Sequence, residues 1–477
     1  MLRITHERRW PLYDTAATRI LEAQASAALP PHTLMQRAGL AVARLALAIA
    51  PNASTIWIAC GPGNNGGDGL EAAMRLKQWG KHCVVTRFGD ESKAPADAAA
   101  SMRRARSAGV AFADAPPAQC DLAIDAMLGI GATRPLEAVL LDWARTMNAC
   151  ARPVLAIDVP SGLDCDTGHG EAVRATHTLS LLGLKPGLFT ANGRDAAGNV
   201  WLDDLGAATA HEAATAWLAG PPGSPVRAHS SHKGSYGDVA IIGGAKGMAG
   251  AALLAAGAAL HSGAGRVFAA LLGEAAMTVD PWQPELMLRP WESLDISVMH
   301  VACGCGGGDA VRAVLPRVLS ASLSLVLDAD ALNAIASDKH LQQLLLARGR
   351  RGKPTVLTPH PLEAARMLGC KISDIQSDRL RRARELSERF EAVVVLKGSG
   401  TVVHAFGALP CINPTGNARL ATAGTGDVLA GMIAGRLAQG DDMSSAASGA
   451  VFQHGLAADQ WPTDKPLTAS LLARIAR

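Results

Sequence analysis

Residues 61 to 69, Gly-Pro-Gly-Asn-Asn-Gly-Gly-Asp-Gly, set two adjacent amides and a carboxylate among five glycines. Glycine permits a tight turn and lets a ligand approach the backbone closely. The N–H groups at the start of a following helix suit a phosphate or another polar ligand. The competing reading is ordinary Asx-turn chemistry with a helix cap. Two further strings have the same character: Asp125-Ala-Met-Leu-Gly-Ile-Gly-Ala-Thr-Arg-Pro135 and Asp158-Val-Pro-Ser-Gly-Leu-Asp164. Each follows a short apolar run. If those runs are strands of one open parallel sheet, Asn65, Asp125, Asp158 and Ser161 share its carboxyl edge. Such an oxygen-rich set suits a hard cation and carries too little charge to demand a divalent one. Taken singly, an Asp at a strand end most often caps a turn.

A second constellation lies near the C-terminus, where Asn413-Pro-Thr-Gly-Asn417 is followed by a small-residue helix opened by Gly424-Thr-Gly-Asp427. Glycine N–H groups at a helix start can hold a phosphoryl group, and Asp427 stands where it could take a proton from a substrate hydroxyl. This string resembles the anion hole and catalytic Asp of ribokinase-like enzymes; Asp427 could equally be a favourable first-turn carboxylate. No Gly-Lys-Ser/Thr P-loop occurs. Lys397-Gly-Ser-Gly-Thr401 offers donors for a nucleotide phosphate. His360, in Thr358-Pro-His-Pro-Leu-Glu363, is either a substrate ligand or a turn histidine satisfied by the backbone. Gly304-Cys-Gly-Gly-Gly308 and Asp328-Ala-Asp-Ala-Leu-Asn333 also follow apolar runs.

Positioning these loops requires alternating strands and helices. Apolar runs ending in Gly, Asp or Pro and followed by Ala/Leu-rich periodic segments recur throughout, the pattern of a mostly parallel sheet covered by helices. The first half predicts strands at 55–60, 83–88, 122–126 and 154–159, with helices over 33–50 and 70–80. The second predicts strands at 238–242, 267–272, 298–302, 323–327, 355–357 and 393–396. Gly-Pro-Pro-Gly-Ser-Pro at 220–225 continues neither a helix nor a central strand. The expected division is therefore a domain over 1–212, a linker over 213–226 and a domain over 227–477.

Composition agrees. A chain of 477 residues has room for two α/β cores. Hydrophobic residues are 49% against 18% charged, with 4% aromatic, which excludes a disordered chain. Lys+Arg 45 against Asp+Glu 42 gives +3 without like-charge runs, so neither nucleic acid nor a membrane surface is an expected partner. Nine scattered cysteines and no apolar segment of spanning length predict a soluble, unexported, cytoplasmic protein.

Taken together these strings resemble the bifunctional NAD(P)H-hydrate repair enzymes, in which an NAD(P)HX epimerase is fused to an ADP-dependent NAD(P)HX dehydratase. In the first half GPGNNGGDG, DAMLGIGATRP, DVPSGLDCDTG and LKPGLFT carry the resemblance. In the second it rests on SHKGSYGDVAIIGG, AGAALLAAGAALHSGAGRV, LDADALN, LTPHPLEAARML, VLKGSGT and NPTGNARLATAGTGDVLAGMIAG. The resemblance implies a Rossmann-like three-layer α/β/α domain followed by a ribokinase-like α/β/α domain. It implies that Asn64, Asn65, Gly66, Gly67 and Asp68 contact the hydrated nucleotide, NADHX or NADPHX, with Gly129, Ile130, Gly131, Ala132, Thr133, Arg134, Pro135 and Asp158. Asn65, Asp125 and Ser161 would bind potassium, and Asp158 would transfer the proton. In the second half Ala251, Gly306, His360 and Asp427 would contact the hydrate, with Asp427 as base. Lys397, Gly398, Ser399, Gly400, Thr401 and Gly426 would hold ADP, the co-substrate, with magnesium. A homo-oligomer is expected.

The sequence departs from the family pattern at three places. Gly304-Cys-Gly-Gly-Gly stands where Gly-Pro-Gly-Leu-Gly is usual, Leu362 replaces a Gly after His360-Pro, and Ala423 replaces the first Gly of Gly-Gly-Thr-Gly-Asp. Two other functions compete. A ribokinase-type small-molecule kinase would leave the first half unexplained. A non-catalytic NAD(P)-sensing protein would leave Asp427, His360 and the cation ligands without a task.

Overall fold

A computed structural model describes residues 1–131, 135–207, 213–223, 228–273 and 277–475. The chain forms two compact units, Met1–Thr5 with Trp10–Leu218 and His6–Arg9 with Ala219–Arg477. Within the expected linker, Ala216–Leu218 is a strand of the first unit, pairing antiparallel with Trp10–Leu12. Residues 208–212 and 224–227, at the two edges of that linker, lie outside the described residues.

The first unit is built on an eight-stranded sheet in the order Leu2–Arg3, Asn199–Asp203, His177–Leu181, Val154–Ile157, Leu122–Ala126, Thr55–Cys60, His82–Arg87, Ala111–Ala113. All pairings are parallel except the first. Side chains alternate across it: Ile56, Ile58 and Cys60 enter one apolar core, Trp57 and Ala59 the other. Helices therefore cover both faces. The chain leaves Thr55–Cys60 towards His82–Arg87 and later returns to Leu122–Ala126 on its other side, so the strand order reverses between 55–60 and 122–126. That crevice is where open α/β sheets bind ligands.

The expected helix over 70–80 instead runs Asn64–Gln78, so the glycine string bends into a helix rather than preceding it. Glycine is a poor helix former; here it permits close packing. A Cβ on Gly66 would stand 2.2 Å from Gly61 O, and one on Gly39 of helix Thr33–Ile49 would stand 2.1 Å from Glu71 Cβ.

In the second unit the strands run in the order Met287–Leu288, Arg266–Leu271, Asp238–Gly243, His300–Cys303, Ser324–Leu327, Thr355–Leu357, Val393–Leu396, Val402–His404, Cys411–Ile412. Pairing is parallel as far as Val393–Leu396 and antiparallel beyond. Val393 and Val395 face one core, Val394 and Leu396 the other. The order reverses between Asp238–Gly243 and His300–Cys303. Among the described residues no helix is long and apolar enough to cross a membrane.

Candidate functional sites at the two strand-order reversals

In the first unit a cavity of about 430 Å³ opens over the reversal. Asn64, Asn65, Asp68, Gly129, Ile130, Gly131 and Asp158 line it. Ala132, Thr133 and Arg134 lie outside the described residues, and Pro135 is described but does not line the cavity. Asp125 lies beneath, fully buried near the end of its strand. Its Oδ1 accepts from Ser161 Oγ at 2.6 Å and from the Met127 N–H at 3.2 Å, and its Oδ2 from the Ser161 N–H at 2.8 Å. Burial nevertheless pushes its pKa up to about 6, because those hydrogen bonds only partly offset the lost hydration. Asn65 is also buried, and its Nδ2 has no partner among the described residues. A Cβ on Gly129 would stand 3.6 Å from Asn65 Oδ1, so the 129–131 turn lies directly against that amide.

Asp158 follows its strand with φ of +66°, a left-handed conformation uncommon for a residue with a side chain. Its backbone is held by an N–H donated to Leu179 O at 2.8 Å. Its carboxylate is ion-paired with Lys185, which is fully buried and also donates to Leu181 O at 2.8 Å. Asp68 has the opposite environment. Burial and then the charges of Asp158, Glu22, Glu71 and Asp97 push its pKa well above the carboxylate range. Glu22 is raised as well, first by burial and then by Asp158, against the pull of Lys185 and Arg19. Lys185, Glu22 and Asp97 were not singled out in the sequence. Lys185 stood inside LKPGLFT, where nothing in the string marks it as buried. Glu22 and Asp97 come from helices Thr15–Ala27 and Ala96–Ser107, which the sequence reading did not identify.

In the second unit Asp427 is the third residue of helix Thr425–Ala438, entered through Gly424 at φ of +88°. Asp427, Asp328 and Cys305 lie together, one ligand atom of each within 4.8 Å of the others. Asp328 accepts from Lys397 Nζ at 2.6 Å and Thr358 Oγ1 at 2.8 Å. Burial opposes the charge of Lys397, but Asp328 and Glu363 outweigh it and hold its pKa above the usual lysine range. Burial and then Asp328 push Asp427 up to about 6, against the Cys305 hydrogen bond and Lys397. Gly426 belongs here: a Cβ on it would stand 3.4 Å from Lys397 Nζ. Behind the 397–401 loop the buried Arg379 donates to Leu396 O at 3.0 Å and Lys397 O at 3.1 Å, a support not foreseen from sequence. His454, also buried, holds the helix start through Thr425 O at 2.9 Å.

His360 caps helix Pro361–Leu368: its Nδ1 accepts from the Leu362 and Glu363 N–H groups, and its own N–H donates to Glu363 Oε2. One ring nitrogen is thus used by the backbone, and Nε2 lies 3.3 Å from Glu363 Oε1. Gly306 adopts φ of +58°, and a Cβ there would stand 2.8 Å from Ala251 Cβ, so these two expected contacts are neighbours. The departure at Ala423 costs no backbone strain, since the left-handed residue is Gly424. Leu362 keeps its side chain 37% exposed beside the cap. At the third departure, Cys305 brings a buried thiol against Asp427.

Residues 31–187 match a family model described as YjeF-related protein N-terminus, and residues 239–477 match one described as NAD(P)H-hydrate dehydratase. The chain is 34% identical over 470 residues to the bifunctional NAD(P)H-hydrate repair enzyme Nnr of Coxiella burnetii, covering 94% of each chain. It is 36% identical over 458 residues to the Escherichia coli protein of that name, covering 90% of this chain and 85% of that one. Among solved structures it is similar to the ADP/ATP-dependent NAD(P)H-hydrate dehydratase from Bacillus subtilis co-crystallized with ATP/Mg2+. That likeness has 32% identity and a TM-score of 0.45, over 53% of this chain and 92% of that one. It is also similar to a ribokinase-like superfamily protein from Enterococcus faecalis, at 26% identity and a TM-score of 0.44, over 52% of this chain and 88% of that one. With relatives matched along nearly its whole length, the chain belongs to the family of bifunctional NAD(P)H-hydrate repair enzymes.

Proposed function

We propose that the first unit interconverts the R and S epimers of NADHX and NADPHX, and that the second dehydrates the S epimer using ADP, giving AMP and phosphate. The observation that carries this reading is a pairing repeated at both reversals. In each, one Asp is neutralised by a lysine and a second carboxyl has its pKa raised by burial: Asp158–Lys185 with Asp68, and Asp328–Lys397 with Asp427. A carboxylate held by a cation beside a carboxyl that burial favours in its neutral form suits opposite proton-transfer roles.

In the first unit Asp158, ion-paired with Lys185, takes the proton of the ring hydroxyl while Asp68, whose proton is held more tightly by burial and neighbouring carboxylates, supplies one as the ring opens. Closure from the other face inverts the carbon. Potassium suits Asn65, Asp125 and Ser161. Asp125 is fully buried, and among the described residues no lysine or arginine acts on it, so a monovalent cation would supply the missing charge.

In the second unit Asp427 accepts the substrate hydroxyl's proton as that oxygen takes a phosphoryl group from ADP. A pKa near 6 leaves it ionised at neutral pH yet a stronger base than an ordinary surface Asp. The amides of residues 424–426 at the helix start face the transferring phosphoryl group. Phosphate is then a far better leaving group than water, and its departure together with a proton from the adjacent ring carbon restores the double bond of the reduced ring. Magnesium prefers oxygen ligands, which Asp328 and the nucleotide phosphates would supply. His360, Ala251 and Gly306 would meet the hydrate, and Lys397 to Thr401 with Gly426 the adenine nucleotide.

The test mixes purified protein with both NADHX epimers and ADP and follows the absorbance of reduced nicotinamide. Full recovery of NADH is expected. Phosphorylation of a sugar or vitamin precursor without that recovery would identify a ribokinase-type kinase instead.

A further inference from the structure

Behind the glycine string of the first unit lies a second cavity, of about 160 Å³, lined in part by Gly66 and Gly67, and its arginines have no role in the chemistry above. Three arginines are among the residues that line it, Arg87, Arg103 and Arg106, against a single acid, Glu91. Arg106 is ion-paired with Glu91 and lies over the Phe112 ring, so that pair is close to neutral. Arg87 terminates its strand and spends one N–H on Gly89 O at 2.7 Å. Arg103 extends from helix Ala96–Ser107, is exposed and makes no hydrogen bond or ion pair among the described residues. The cavity therefore holds an excess of positive charge with planar, multidentate donors. That is the recognition chemistry of a phosphate rather than of a neutral ring.

Its position names the ligand that would bring the phosphate. Pro62 and Gly63 line both this cavity and the larger one, so the two meet across the first residues of the string. A Cβ on Gly63 would meet nothing within 4 Å, which leaves the crossing open. A dinucleotide with its hydrated ring beside Asp68 and Asp158 could extend over Gly63 and bring a phosphate group to Arg103 and Arg87.

We propose that this arginine-lined cavity is the phosphate subsite of the epimerase unit; this rests on the reading that the unit binds a hydrated nicotinamide dinucleotide. The phosphate is either the 2′-phosphate that distinguishes NADPHX from NADHX or the pyrophosphate common to both. The experiment uses the full chain without ADP, so that no dehydration competes, and compares the parent protein with Arg103→Ala and Arg103→Lys. Calorimetric binding of adenosine 2′-phosphate and of inorganic pyrophosphate is measured beside kcat/KM for epimerisation of each substrate. Arg103→Ala is expected to weaken at least one probe tenfold or more, with partial recovery in Arg103→Lys. A tenfold greater fall in kcat/KM for NADPHX than for NADHX assigns the 2′-phosphate, and equal falls assign the pyrophosphate. Unchanged binding of both probes with unchanged kcat/KM for both substrates overturns the subsite. If the parent protein epimerises neither substrate, the functional reading fails, while calorimetry still reports on the cavity.

Discussion

Two aspartates carry the sharpest consequences at the scale of single residues. Asp427 must be ionised to accept a proton, and burial raises its pKa to about 6. The dehydratase kcat/KM is thus expected to be level above neutrality and to fall tenfold per unit as pH drops below about 6. Asp427→Ala should lower that rate by about 10²- to 10⁴-fold, the usual contribution of a positioned base, while epimer interconversion continues. Undiminished dehydration would remove Asp427 from the mechanism. Asp158 is testable through its partner. Lys185→Met leaves a nearly buried carboxylate unpaired, a change that costs about 3–5 kcal/mol, read as a lower denaturant midpoint. Adding Asp158→Asn removes the stranded charge, so the double variant should regain most of that stability without regaining epimerase activity. A midpoint unmoved by Lys185→Met would mean the pair is solvated and the assigned charge state wrong.

Whole elements decide which of these groups meet, and here the sequence was unevenly legible. The strand ends could be read because an apolar run followed by Gly or Asp is a local signal: Leu122–Ala126, Thr355–Leu357 and Val393–Leu396 fall where expected. The meeting of Asp125 with Ser161 follows from the order of the strands in the sheet. The opening of helix Asn64–Gln78 was missed because three glycines within its first six residues argue against a helix locally, and only tertiary packing overrides that. Lys185, Glu22 and Arg379 were missed for a related reason: burial and pairing across distant segments leave no local trace. Two substitutions probe elements. Gly66→Ala drives a methyl to 2.2 Å from Gly61 O, so the helix start and the cavity edge must move. Epimerase activity should be lost and dehydratase activity kept, each followed with its own substrate. For helix Pro361–Leu368, His360→Ala removes the cap and should cost about 1 kcal/mol while raising the KM for the hydrate. His360→Asn restores an acceptor at the cap and should recover stability but not KM. Recovery of both would mean that His360 acts only as a cap.

At the scale of the whole molecule, the chain joins two units that each have their own cores, their own strand-order reversal and their own lysine-neutralised aspartate. Neither set of proposed catalytic groups contains a residue of the other unit, so the two chemistries require no shared atoms. What links them is the substrate. A dehydratase confined to the S epimer consumes half of a mixed pool and then waits for the R form to convert, and the epimerase removes that wait. Asp158→Asn should therefore give a fast phase equal to the S fraction, followed by a slow one limited by spontaneous conversion. Asp427→Ala should give no NADH on the time scale of that fast phase. Mixed together, the two variants should restore a single fast phase that consumes both epimers, because the intermediate diffuses between intact sites on different molecules. A mixture that stays biphasic would mean that the epimers pass between units of one chain without release. The ratio of fast to slow amplitude, measured as the concentration of the Asp427→Ala partner is raised, separates these outcomes.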